Sequence, residues 1–182
     1  YDIASRATPR LIRELVLPGT YENGRMINGT VYAVTSAGMY LNEPFMPIIY
    51  DGSEAIARPS VWCPHIPLTS YSLSTLSSFP ISGEGEVHAA SFLMGYENTL
   101  YVSIDNAYIA YRLWNPYWWN GGILPKVSAI PETGEESVIH RFALDGGDIT
   151  YQASGTVPGR LLNQFSLDQY HENLRVATTT NG

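Results

Sequence analysis

The densest set of ligand-contacting groups is Trp114-Asn115-Pro116-Tyr117-Trp118-Trp119-Asn120, with three of the four tryptophans, just before Gly121-Gly122. Aromatic faces stack on sugar rings or anchor in a partner's pocket, and amides add directional hydrogen bonds. Trp114, Tyr117, Trp118, Trp119 and Asn120 are therefore the candidate binding residues. Arg112 and Lys126 are the nearest cations and no acidic residue lies between them, so the segment is neutral, amphipathic and suited to polar, ring-shaped ligands such as glycans. The competing reading is that a long loop folds back and buries its own rings, each removing roughly 150–250 Å² from water.

Catalytic groups are scattered. His65, His88, His140 and His171 are dispersed among seventeen carboxylates, and no serine sits in a nucleophile-elbow motif. A glycosidase pair would need a defined carboxylate separation, which a sequence does not display. No catalytic residue is assigned, and the balance falls against an enzyme. Cys63-Pro64-His65 offers too few ligands for a metal, and a buried thiol accounts for Cys63. Asp145-Gly146-Gly147-Asp148 lacks the dense alternation of oxygen ligands of a calcium loop and reads as a turn. Neither metal nor cofactor is expected.

The elements that must carry these residues are strands. In 182 residues, 45% are hydrophobic and only 15% charged, enough apolar side chain for one globular core. A net charge of −7 without a basic run argues against nucleic acid as a partner. No apolar run reaches the roughly 18 residues of a membrane span, so no membrane insertion is expected within this segment. Thirteen tyrosines, sixteen glycines and twelve prolines favour strands joined by turns, and no convincing helical period runs through the chain. The chain starts at Tyr1 within strand-like sequence and stops soon after another such run, which reads as a piece of something longer.

Three hairpins stand out. Asn28-Gly29 joins Gly24–Ile27 to Thr30–Val34, and Asp105-Asn106 joins Leu100–Ile104 to Ala107–Tyr111, with Asp and Asn tolerating the positive φ of a tight turn. Asp145-Gly146-Gly147-Asp148 joins Val138–Leu144 to Ile149–Val157 through a slightly longer turn. The segments TVYAVT, AYIAYR and LRVATT, around Tyr32, Tyr108 and Arg175, read as equivalent second strands of a repeat. Their spacing exceeds the roughly 40–45 residues of a compact propeller blade, the excess lying in two long loops, 36–68 and 114–137. Val31–Val34 and Tyr108–Tyr111 are apolar on both faces, as strands between neighbouring sheets must be, whereas Ser70–Ser74 alternates as if one face met solvent at a rim.

The fold class is therefore all-β, with β-propeller blades of four-stranded antiparallel sheets forming an incomplete ring; a sandwich is the rival. The expected divisions are a partial blade at about 1–19, blades at about 20–95 and 96–159, and the first strands of another at about 160–182. Roughly two to three blades leave faces uncovered, so self-association, or pairing with remaining blades of a parent protein, is expected through residues such as Val34 or Tyr111.

Several segments resemble a family of secreted or cell-surface C-terminal β-propeller domains of archaea and bacteria, distantly related to WD repeats. The likeness lies in Gly24–Ile27 before Val31–Val34, Phe92–Gly95 before Leu100–Ser103, Asn106–Ile109, and most specifically Ala153–Gly159, Leu162–Asp168 and Leu174–Thr179. Gln169 and His171-Glu172-Asn173 depart from the family pattern of an acidic residue and a glycine-containing turn. The resemblance implies an extracellular or cell-surface setting and no established catalytic set. The function expected is a non-catalytic binding or scaffold module with a protein or carbohydrate partner at the cell surface. The alternatives are a hydrolase, glycosidase- or peptidase-like, with a site across blades, and a structural envelope component. The Asn28-Gly29-Thr30 sequon coincides with the first turn.

Overall fold

A computed structural model describes residues 1–39, 45–63, 71–95, 99–113 and 135–180. Among these described residues fourteen strands follow in order: β1 (Leu15–Val16), β2 (Thr20–Ile27), β3 (Thr30–Gly38), β4 (Ile49–Asp51), β5 (Glu54–Ala57), β6 (Val61–Trp62) and β7 (Ser72–Pro80). Then come β8 (His88–Met94), β9 (Thr99–Val102), β10 (Asn106–Leu113), β11 (Glu136–Asp145), β12 (Asp148–Pro158), β13 (Leu167–Tyr170) and β14 (Asn173–Val176). Among the described residues the helical content is one 3₁₀ turn, Gln164–Ser166, capped by the Asn163 side chain, and no helix is long and apolar enough to cross a membrane.

The strands form a five-stranded sheet β2-β3-β7-β8-β6, a four-stranded sheet β12-β11-β10-β9, a three-stranded sheet β1-β4-β5 and the hairpin β13-β14. By contact density the chain divides into two compact units: Tyr1–Trp62 with Leu73–Leu93 and Asp145–Ile149, and Cys63–Ser72 with Met94–Leu144 and Thr150–Gly182. The fold is all-β with several antiparallel sheets. One pairing departs from the antiparallel rule, since the two-residue β6 runs parallel to β8 at the sheet edge.

The turns explain the hairpins. Asn28 and Gly29 take φ of 48° and 80°, so Ile27 faces Thr30 across a two-residue turn whose twist matches the strands. The expected turn at Asp105-Asn106 lies earlier: Val102 pairs with Ala107, and neither Asp105 nor Asn106 has positive φ. Here the Ser103 hydroxyl substitutes for backbone geometry, accepting from the Asn106 amide at 3.1 Å while the Ser103 amide donates to the Asn106 carbonyl at 2.8 Å. The Asp145-Gly146-Gly147-Asp148 turn is tighter than expected, with only Gly146 and Gly147 between β11 and β12, at φ of 59° and 113°. Consecutive strands joined by two residues run antiparallel. The segment 36–68, expected as a loop, contains β4, β5 and β6; strands of two to four residues are too short to print a period.

β3, β10 and β14 are each the second strand of a hairpin, after β2, β9 and β13. Tyr32–Thr35 of β3 and Asn106–Tyr111 of β10 are buried without interruption, so both of their faces are covered. Val34 and Tyr111 are only 1% and 2% exposed and are core residues rather than contacts on an open face. β7 also corrects an expectation. Its run Ser72–Ser78 is buried throughout because the strand lies between β3 and β8, not at a rim. Two of its small hydroxylated side chains have partners inside, Thr75 Oγ1 lying 2.8 Å from Ser91 Oγ and Ser78 Oγ donating to the Gly147 carbonyl, whereas the buried Ser77 Oγ makes no hydrogen bond.

In the second unit Tyr108, Ala110, Ile139 and Leu167 form a buried cluster, with Tyr101, Val157, Leu161, Leu174 and Val176 packed against it. The β13–β14 hairpin thus lies with its apolar face on the sheet that carries β10. Double burial sets the energetic scale. Ile109→Ala, at a position with no exposure, should lower the unfolding free energy by about 2–5 kcal/mol, whereas Tyr21→Ala, at a 65% exposed site, should stay within about 0.5 kcal/mol; urea denaturation of the two variants checks the contrast.

Candidate functional site

Two polar clusters and one groove emerge from these elements. In the first unit, Tyr32 of β3, Ser78 of β7 and His88 of β8 converge on the Asp145–Asp148 turn. His88 Nδ1 lies 3.1 Å from Asp148 Oδ1, and its Nε2 is 3.9 Å from Glu86 Oε2. A side chain at Gly147 would sit at ordinary contact distance from the His88 ring, 3.6 Å, and from Ser78 Oγ, 3.8 Å; it is the φ of 113° that favours glycine there. Burial raises the Tyr32 hydroxyl above its ordinary pKa, the backbone hydrogen bond with Gly147 opposes this, and Asp145 and Asp148 add to the rise. Serine, histidine and aspartate meet here without making a catalytic triad. Ser78 is fully buried and commits its proton to a backbone carbonyl rather than to an imidazole. The cluster fastens a hairpin tip.

The second cluster centres on Gln169 of β13. Its Oε1 accepts from Ser103 Oγ at 2.6 Å, Asn106 Nδ2 at 3.1 Å and the Tyr108 hydroxyl at 3.1 Å, and its backbone amide donates to the Tyr101 hydroxyl at 2.9 Å. Arg141 Nε donates to Asn106 Oδ1 at 2.8 Å, extending the network to β11. Tyr101 and Tyr108 face each other across β9 and β10, with ring centroids 6.0 Å apart. Burial raises the Tyr108 pKa, against the Arg141 charge. The turn that follows, at His171-Glu172, places His171 at φ 53°, so a residue other than glycine serves there.

The groove lies at the far end of the same ladder. Its volume is about 410 Å³, and Thr99, Tyr111, Arg112, Ser137, Arg160 and Leu161 line it. Leu113 pairs with Glu136 at this end, and Arg112 forms an ion pair with Glu135. The described residues on either side of 114–134 are thus paired with each other beside the groove. Trp114, Tyr117, Trp118, Trp119 and Asn120 themselves lie outside the described residues, as does His65.

The sheets, their second-strand hairpins and the stacked hairpin β13–β14 coincide with a family match over the whole chain, residues 1–182, to the beta propeller domain. The chain belongs to that family. The propeller domain is similar to an uncharacterized protein of Methanocaldococcus jannaschii, 30% identical over 118 residues, 62% of this chain and 18% of that protein. It is also similar to an uncharacterized protein of Archaeoglobus fulgidus, 49% identical over 45 residues, 25% of this chain and 7% of that protein. The matched part of the domain thus spans less than a fifth of either relative. No solved structure matches it.

Of the groups singled out by sequence, the propeller domain joins His88 to Asp148 but places His140 in the second unit, and His171 in a turn. Cys63 is a free, exposed thiol rather than a buried one, because it follows the exposed edge strand β6. Among the described residues no group of three or more His, Cys, Asp or Glu is placed to hold a metal ion. Sequence reasoning missed the role of Gln169, although it marked the residue as a departure from the family pattern.

Removing that amide leaves Tyr108, Ser103 and Asn106 with donors and no common acceptor. Gln169→Ala should cost about 1–3 kcal/mol, read as a lower denaturation midpoint. A titration test follows from the ring stack in which His140 lies between Tyr111, 5.6 Å away, and Tyr151, 5.9 Å away. Burial lowers the His140 pKa, so the unfolded chain takes up its proton first as pH falls below about 6.5, and stability declines from there toward the lowered folded value. Burial, with Tyr151 adding, pushes Tyr111 up to about 12, so its contribution is intact below pH about 10 and is lost as pH rises toward 12. His140→Phe should flatten the acid limb and Tyr111→Phe the alkaline limb of a plot of unfolding midpoint against pH.

Proposed function

We propose that this propeller domain is a non-catalytic binding or scaffolding module, extracellular or on the cell surface and WD-repeat-like. Its contact surface is Trp114, Tyr117, Trp118, Trp119 and Asn120, and its partner is a glycan or protein displaying polar rings. The observation that supports this reading is the firm pairing of the two described ends that flank the segment in sequence, Leu113 with Glu136 and Arg112 with Glu135, beside the groove. Binding residues on a loop are best presented by a rigid scaffold, and this paired end supplies one. The rings contribute stacking area at little entropic cost, and Asn120 adds an amide.

Chemistry supports binding over catalysis. The serine, histidine and aspartate that meet in the first unit are committed to holding the turn, and the amide network around Gln169 is internal to the fold. The partner is expected to be uncharged or weakly charged, since the segment carries no charge between Arg112 and Lys126.

A glycan array and a peptide array, each probed with the chain, identify the ligand class. Ligand addition should quench or shift tryptophan fluorescence. Trp118→Ala with Trp119→Ala should weaken binding at least tenfold, about 1.4 kcal/mol, with the melting temperature within a few degrees of the parent. A fall of many degrees would assign the rings to the core and remove them from the contact surface.

A further inference from the structure

Asn28-Gly29-Thr30 is the one Asn-x-Ser/Thr pattern in the 182 residues, and it sits at the tip of the β2–β3 hairpin. The turn accounts for only part of it. Asn28 and Gly29 supply the positive φ, 48° and 80°, that a two-residue turn requires, yet Asp-Gly or Gly-Gly forms the same turn, so the backbone has no need of a carboxamide at position 28. That carboxamide belongs to an exposed residue and makes no hydrogen bond among the described residues. Thr30 opens β3, where any β-branched residue suits the strand. Its hydroxyl likewise makes no hydrogen bond among the described residues. An amide and a hydroxyl two residues apart are thus both left without a structural task.

These are the two groups that N-linked glycosylation uses: an accessible asparagine amide, then a hydroxyl at the third position, with no proline between them. The local structure has room for the modification. Nothing lies within 4 Å of where a side chain at Gly29 would project, so the residue beside the acceptor leaves the approach open. The turn itself is held in place, since Ile27 pairs with Thr30 and the Gly29 carbonyl accepts from the Ile81 amide at 2.9 Å. Ile81 is 58% exposed, and Met26, two residues before the acceptor, is 57% exposed. A bulky, hydrophilic glycan at this tip stands beside apolar surface that the fold leaves uncovered.

We propose that Asn28 is an N-glycan acceptor, modified by transfer from a lipid-linked oligosaccharide. Asn28 Nδ2 forms a bond to the anomeric carbon of the first sugar, and the bond between that carbon and the lipid-borne phosphate oxygen breaks. Nδ2 gives up one proton and the lipid phosphate departs with the bonding electrons, so nothing is oxidised or reduced. The assignment rests on the extracellular or cell-surface reading, because sequon glycosylation belongs to exported chains. It does not depend on the aromatic contact segment.

The fold supplies variants that remove the acceptor while keeping the hairpin. Asn28→Asp retains a turn-forming Asp-Gly pair, Thr30→Val retains a β-branched strand residue, and Thr30→Ser retains the hydroxyl. The parent chain, exported behind a secretion signal by a cell that glycosylates Asn-x-Ser/Thr, should give in peptide mass spectrometry an Asn28 peptide heavier by an oligosaccharide. Thr30→Ser should remain modified. Asn28→Asp and Thr30→Val should lose the glycan completely, with melting temperatures within a few degrees of the enzymatically deglycosylated parent; should Asn28→Asp fold poorly, Asn28→Gly applies the same test through a Gly-Gly turn. A folded, exported parent whose Asn28 is unmodified overturns the proposal and leaves the cell-surface reading intact. So does a glycan that survives Asn28→Asp, since it must sit elsewhere. Fractionation that finds the protein in the cytosol of its own cells overturns that reading and the modification together, so the two failures are told apart.

Discussion

The middle strands of these sheets are covered on both faces, and most other features follow from that constraint. A strand with one solvated face can alternate apolar and polar residues freely. β3, β7 and β10 cannot. A polar atom they bring inside without a partner costs about 1–3 kcal/mol, a cost borne at Thr35 Oγ1 of β3 and Ser77 Oγ of β7 and avoided at most other positions. β10 meets the constraint with aliphatic and aromatic residues, Ala107 to Tyr111. β7 meets it with serine and threonine, whose hydroxyls reach neighbours such as Ser91 and the Gly147 carbonyl. The two solutions differ in bulk, and small residues on β7 suit close approach of neighbouring backbone.

Where sheet faces and turns meet, apolar packing alone does not fix a register. Gln169 supplies directional contacts in the second unit, gathering three donors from the β9–β10 hairpin onto one carbonyl oxygen. Tyr32, Ser78 and His88 do the corresponding work in the first unit around a glycine turn. Both clusters use residue types that also serve catalysis, and in both the protons are already committed to structure. Chemistry directed outward is left to loops and turns.

How much of this could be read from sequence depended on whether the signal was local. Asn28-Gly29 was legible because a two-residue turn of that hand demands positive φ at both positions, which few residue pairs provide. The hairpin at residues 99–113 was legible as a pair of strands, but its turn was misplaced, since Ser103 closes it through a side chain that propensity does not register. The serine-rich strand β7 was taken for a rim because its alternation resembles a half-solvated strand, and only its neighbours in the sheet show otherwise. Gln169 lies more than sixty residues from the three donors gathered on its Oε1; a departure from a family pattern flagged it, yet those partners were beyond any local rule. The candidate contact segment stood out by composition alone, and the sequence displayed neither the groove nor the pairing of Leu113 with Glu136 at the strand ends that flank it in sequence.

The division of the chain into units has a bearing on biosynthesis. The first unit includes Asp145–Ile149, a tip borne on strands whose remaining residues are assigned to the second. A ribosome adding roughly 5–20 residues per second exposes Tyr32, Ser78 and His88 several seconds before the glycine turn that engages them has been made. Over that interval the nascent sheet carries an unfilled polar notch, and a chain truncated anywhere before residue 145 keeps it permanently. Completion of the first unit therefore waits until residues 145–149 have been translated.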